Sequence, residues 1–470
     1  MTQDNNEYVD VYGARYSSDG KTLLRVPEDF IGEYTVREGT EIIGTDAFDR
    51  CSKLTGVVFP DSVTTLGYML FLYCFSLETV EIPPNVKDLD ENPFTNWDGE
   101  VINRSPYLVY EDEVLFNKDK TKLISFRKET DRYAIPDSVK IIGKKAFHSR
   151  DYLKEVVIPQ SVTTISEWAF RCCEHLETLI IPDSVTTIGI MAFDGCRSLK
   201  NISIPEGVSE IGLGTFECCN SLKHIDIPHT VTTIGEYAFR FCDSLENIKI
   251  PDSVSNIDDY AFCRCEALRE IVIPPSVSSI GACAFEGCSS LESIQLPDSL
   301  KSIGEGAFIN CESLVSIVLP DGLAHINWLF SGCSSLEEIV IPDTVTTIGE
   351  SSFRECSSLK RIALPSRLTR IGEETFYDCT ELEQIVIPES VTEIGVRAFA
   401  WCTSLKSANI PDNINIIHKY TFQGCWSLRR ITIPQSVTSI EDGAFCGCNS
   451  LDHYCKAEII RRFGKSSFSY

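Results

Sequence analysis

The chain is short of positive charge: 42 Lys and Arg stand against 68 Asp and Glu, a formal charge of −26. Nucleic acid and anionic membranes both need a basic footprint, so neither is an expected partner. No run reaches the roughly 18 apolar residues that a spanning helix requires, and no membrane insertion is expected. The first residues, Met1-Thr2-Gln3-Asp4-Asn5-Asn6-Glu7, offer neither a basic segment nor an apolar stretch, so no secretory signal is read there. Cytoplasmic residence is the resulting expectation, with the cell surface or non-classical secretion as the alternative. Also missing are a phosphate loop, a G-x-S-x-G elbow, an HExxH helix and four ligands at zinc-finger spacing. No catalytic residue, cofactor or metal site is assigned.

What the chain has is rhythm. Cys173, Cys196, Cys219, Cys242, Cys265, Cys288 and Cys311 follow one another at intervals of 23 residues, and proline keeps the same beat from Pro136 to Pro320. A fixed period of that size marks a solenoid in which each repeat stacks on the last. With the proline as origin, the unit reads P-D-S-V-T-T-I-G-x-x-A-F-x-x-C-x-S-L-x-x-I-x-I. Seventeen units fit, and fifteen carry the cysteine, with Trp97 and Arg150 in its place in the other two.

Each part of the unit has a mechanical reading. The two apolar residues of I-x-I alternate at period two and point inward from a short strand. Proline cannot donate a ladder hydrogen bond and ends that strand. Asp-Ser or Gln-Ser then turns the chain. Val-Thr-Thr-Ile returns two further side chains to the core, and glycine permits a tight bend. Ala-Phe sends an aromatic into nearly every coil, which predicts a stacked spine from Phe48 to Phe445. Small buried thiols fill a core without oxidation, so reduced, buried lattice cysteines are expected in preference to disulfides or zinc.

The unit closely resembles the BspA-like class of leucine-rich repeats, and sixteen of the seventeen units keep the aligned leucine. That resemblance implies a curved or superhelical solenoid with a parallel sheet along one face. It also implies kinship with surface or secreted proteins of host-associated bacteria and protists that are implicated in adhesion to host proteins. The expected fold is a right-handed leucine-rich-repeat-like superhelix, with a continuous parallel β-sheet on one face and short turns or helical segments on the other.

Two interruptions and two ends divide the chain. Residues 1–36 read as an N-terminal cap with a β-hairpin, 37–106 as three repeats, 107–135 as a β-hairpin insertion, 136–451 as fourteen repeats and 452–470 as a C-terminal cap. A coil one residue short falls between Pro320 and Pro342, where the sheet should continue with a local change of twist. Of two N-x-S sequons, at Asn103 and Asn201, the second lies in a strand and is the poorer acceptor.

Function follows from the positions that the lattice leaves free. Outward strand residues are polar from Ser203 to Lys249 and apolar from Val318 to Val386. The candidate docking face is therefore Val318, Val340, Ala363 and Val386, with the adjacent column Ser316, Glu338, Arg361 and Gln384. The leading reading is a non-enzymatic, monomeric scaffold for protein–protein interaction, extending to adhesin-type recognition, whose partner carries a basic rim. The alternatives are an enzyme with a site on the sheet face or the hairpin modules, or a purely structural spacer. His224, His229 and Asp226 read as a polar surface stretch in preference to a catalytic group.

Overall fold

The computed structural model describes residues 7–469; the leading segment 1–6, part of the stretch read for an export signal, and Tyr470 lie outside them. The chain falls into two compact units, Met1–Val208 with Gly214–Cys219, and Ser209–Leu213 with Asn220–Tyr470. Each is a stack of parallel β-coils.

Within a coil the sequence predicts one strand, and the structure contains two. The first is the expected I-x-I strand, as in Glu155–Val157 paired in parallel with Thr178–Ile180. The second is Thr-Thr-Ile, as in Thr164–Ile165 paired with Thr187–Ile188. β-Branched residues suit a pleated surface, and here they make a ladder where the sequence suggested only a return of the chain. In the first ladder, pairing comes in runs of two or three strands.

The rest of the coil is turns, and helix among the described residues is confined to the C-terminus. Nearly every turn run bends at two left-handed residues, such as Trp168 (φ 57°) and Cys172 (φ 56°). Their backbone N–H groups donate to the next coil, to Ile190 O at 3.0 Å and Asp194 O at 2.7 Å. Backbone hydrogen bonds thus run coil to coil along the turns as well as the strands, which is how a helix-poor coil satisfies its polar groups.

Inside, the phenylalanines stack. In the first unit the ring centroids of Phe147 and Phe170 are 4.8 Å apart, and Phe170 and Phe193 are 5.6 Å apart. In the second unit the stack runs from Phe239–Phe262 at 5.3 Å to Phe422–Phe445 at 5.5 Å. All fifteen lattice cysteines are buried, and no disulfide is formed among the described residues.

The first unit breaks the spine once, and a buried cation fills the break. The Arg127 guanidinium lies 5.4 Å from the Phe94 ring centroid and 4.9 Å over Trp97, and it donates to Gly99 O at 2.6 Å. Burial pulls its pKa down to about 10, still charged at neutral pH. The strands Val114–Asn117 and Lys122–Phe126 form an antiparallel hairpin, and the second arm then pairs in parallel with Ile141–Ile142. At the N-terminus, Arg15–Tyr16 and Thr22–Arg25 repeat the device, the latter pairing with Ile42–Ile43. Each hairpin converts a bare strand edge into the start of a ladder.

In the second unit the short coil keeps its pairing: Ser316–Val318 runs parallel to Glu338–Val340 with Val318 opposite Val340. The far end closes on the helix His453–Phe463, whose N-cap Asp452 accepts from Cys455 N. Beyond it, Ser466 O and Ser467 O accept from Gly443 and Phe445 N–H at 2.9 and 2.8 Å, and Phe468 packs 5.9 Å from Phe445. The tail therefore occupies the place of one more coil.

Candidate functional site

Strand alternation puts Ile317, Ile339, Ile362 and Ile385 in the core of the second unit and turns their neighbours outward. Val318 is 65% exposed, Val340 58% and Val386 74%. Ala363, Ser316, Glu338, Arg361 and Gln384 are exposed as well. Six of these eight residues share one open groove of about 790 Å³: Glu338, Val340, Arg361, Ala363, Gln384 and Val386 line it with Glu337, Lys360, Leu364 and Pro388. Ser316 and Val318 continue the same columns one coil earlier, outside that lining.

The groove forms where the strand ladder opens. Glu338–Val340 pairs with the coil before it but not with residues 361–363, whereas Arg361 bridges to Gln384 on the far side. A seam without ladder hydrogen bonds lets apolar walls separate, and Ile362 and Leu364 become part of the floor. Sequence periodicity carries no signal for this opening, so Lys360, Leu364 and Pro388 could not be assigned from it.

The electrostatics are arranged in columns. Beside the valines, charge alternates: Lys360 Nζ lies 3.9 Å from Glu337 and 3.7 Å from Glu381, and Lys406 Nζ lies 2.9 Å from Glu383. The hydrogen bond from Lys406 holds the Glu383 carboxyl below its usual range. On the proline side, Asp321, Asp343, Glu389 and Asp412 make an exposed acidic edge. Among the described residues, Glu338 and Arg361 belong to no ion pair, so both remain available to a partner.

Elsewhere, His224 and Asp226 project from the strand His224–Asp226 into solvent. The two sequons exchange rank in accessibility. Asn103 Nδ2 donates to Ser105 O and Leu108 O and its Ser105 is buried, while Asn201 is exposed. Among the described residues no three His, Cys, Asp or Glu side chains are grouped to hold a metal, and no helix is long and apolar enough to cross a membrane.

Comparison with known proteins places this geometry. The profile described as "BspA type Leucine rich repeat region (6 copies)" matches residues 30–130, 125–246, 232–358 and 327–452. A leucine-rich repeat protein from Bacteroides ovatus ATCC 8483 is 27% identical, with a TM-score of 0.58 over 92% of this chain and 100% of its own. A leucine rich cell surface protein from Faecalibacterium prausnitzii A2-165 is 29% identical, with a TM-score of 0.50 over 70% of this chain and 94% of its own. No curated protein matches the chain.

Proposed function

The chain belongs to the BspA-type leucine-rich repeat family, and from that premise we propose that it is a non-enzymatic scaffold that docks a protein partner on the open strand face of its second unit. Val318, Val340, Ala363 and Val386 supply the apolar contact. Ser316, Glu338, Arg361 and Gln384 supply the selective polar ones. One observation carries the reading: the repeat buries most of its apolar lattice positions, yet the outward Val340, Ala363 and Val386 remain exposed along a groove, with Val318 exposed one coil earlier.

The acidic edge beside the valines favours a partner with basic residues around an apolar centre, so the association weakens as salt rises. A monomer suffices for this, since the face lies within one unit. The Faecalibacterium relative is described as a cell surface protein. Display at the surface and adhesion to a host protein is the finer form of the proposal, and fractionation of native cells tests it.

The docking reading is tested by using the protein as bait and mapping the captured partner's footprint by hydrogen exchange. Protection should concentrate in residues 337–341, 360–364 and 384–388. Protection confined to the turns or the hairpins would overturn it.

A further inference from the structure

The first unit presents an apolar strand face of its own, with different surroundings. Ile180 is 75% exposed, and Val157 beside it on the paired strand Glu155–Val157 also points outward. Three residues before that strand, Tyr152 is 62% exposed. Its ring stands against a hollow of about 620 Å³ lined by Glu129, Asp131 and Asp151 together with Thr130, Lys154 and His175.

Charge decides what this face fits. One column away, carboxylates are already neutralised from coil to coil: Glu155 pairs with Arg132 at 2.7 Å and Glu177 with Lys200 at 2.8 Å. Lys154 and His175 also act on Glu177. Glu129, Asp131 and Asp151 belong to no ion pair among the described residues, and all three are exposed. The backbone of Asp131 is tied to the next coil, because its carbonyl accepts from Lys154 N at 2.8 Å and Glu155 N at 3.1 Å. The result is a set of acceptors without ion pairs beside an exposed aromatic face that makes no ring contact among the described residues.

We infer that this face is a second docking surface, independent of the one in the second unit, which takes an arginine-bearing segment of a partner protein. A guanidinium is flat and weakly hydrated. It can lie flat on the Tyr152 ring while its fork of N–H donors meets more than one carboxylate at its edge, a planar, bidentate match that a lysine ammonium lacks. From 154 to Val157 an extended chain spans about 10 Å. A segment with its arginine in the hollow therefore places an apolar residue two to four positions along over Val157 and Ile180.

The test uses the full chain and a fluorescent peptide, Gly-Arg-Gly-Ile-Gly-Gly amide, beside the same peptide with citrulline in place of arginine. Citrulline keeps the shape and loses the charge. Anisotropy at low ionic strength should favour the arginine peptide by about tenfold. The isosteric pair Asp131→Asn/Asp151→Asn should abolish that preference, and Tyr152→Ala should reduce it severalfold, with thermal melts unchanged. Val340→Lys/Val386→Lys should leave it intact. Equal binding of the two peptides would overturn the inference. So would a preference that survives the double amide variant, since that is diffuse attraction to an acidic surface, or one lost in the valine variant, since the peptide then sits on the other face.

Discussion

The thiol of Cys379 donates to the backbone carbonyl of Phe353, 26 residues earlier and one coil back, at 3.1 Å. The same bond recurs from Cys74 to Phe48 at 3.0 Å and from Cys448 to Phe422 at 3.2 Å. Cysteine at this position is thus both a small filler and a donor to a buried carbonyl. Burial pushes these thiols well above their ordinary pKa, as at Cys196 and Cys379, and to about 12 at Cys173. Such thiols are inert in the folded protein. Blocking the native protein with a thiol reagent should modify at most the four half-buried residues, Cys172, Cys218, Cys283 and Cys455. Unfolding without reductant should then release the rest. Resistance to labelling after unfolding would mean disulfides and an oxidising compartment.

The phenylalanine spine makes stability local. Phe376 lies between Phe353 and Phe399, each at 5.4 Å with its ring nearly parallel. Phe376→Ala should cost about 3–5 kcal/mol in urea unfolding, as for an aromatic removed from a packed core. Phe445 has one such neighbour and the tilted Phe468 at the cap. Phe445→Ala should fray one end and cost less, because repeats touch only their neighbours. Equal losses would contradict this.

Close stacking also fixes a glycine. A Cβ on Gly395 would stand 2.5 Å from Glu373 N in the preceding coil. Gly395→Ala should therefore destabilise by about 1–3 kcal/mol through forced separation of two coils. A melting temperature equal to wild type would show that the coils slide apart freely.

Acid should loosen the first unit. His148 is buried, its Nε2 has no hydrogen-bond partner among the described residues, and Ser149 Oγ lies 2.8 Å from Nδ1. Burial first, and then Arg171, Lys145 and Arg150, pull its pKa down to about 4. An unfolded histidine gains its proton near 6.5. Between those values the unfolded state holds more protons, so stability is full above about pH 6.5 and falls toward pH 4. The loss is about 3 kcal/mol by linkage. His148→Gln should flatten that part of the profile relative to wild type, and identical slopes would exclude His148 as the cause.

Much of this was legible in the residues. Period 23 placed Phe239, Cys242 and Ile248 in the core, and the alternation that buries Ile339 also turns Val340 outward. The second ladder was not legible, because Thr-Thr-Ile is too short to separate a strand from a turn. Nor were the cations: Arg127 lies off the repeat, and its place against Trp97 and Gly99 depends on a hairpin folding back. Lys145 is similar, buried with Glu91 at 2.8 Å and under the Tyr68 ring at 3.8 Å. The groove at Ala363 follows from one of the several seams at which the first ladder opens, which is a property of stacked backbones and not of one unit's sequence.

The central claim is that recognition uses the outward valines of the second unit, and the affinity of the captured partner for Val340→Lys/Val386→Lys tests it most directly. Both side chains point away from the core, so the variant should melt at the wild-type temperature while losing at least about 100-fold in affinity, as for two apolar contacts replaced by buried charge. Unchanged affinity in a folded variant would contradict the account and move the binding site off the strand face.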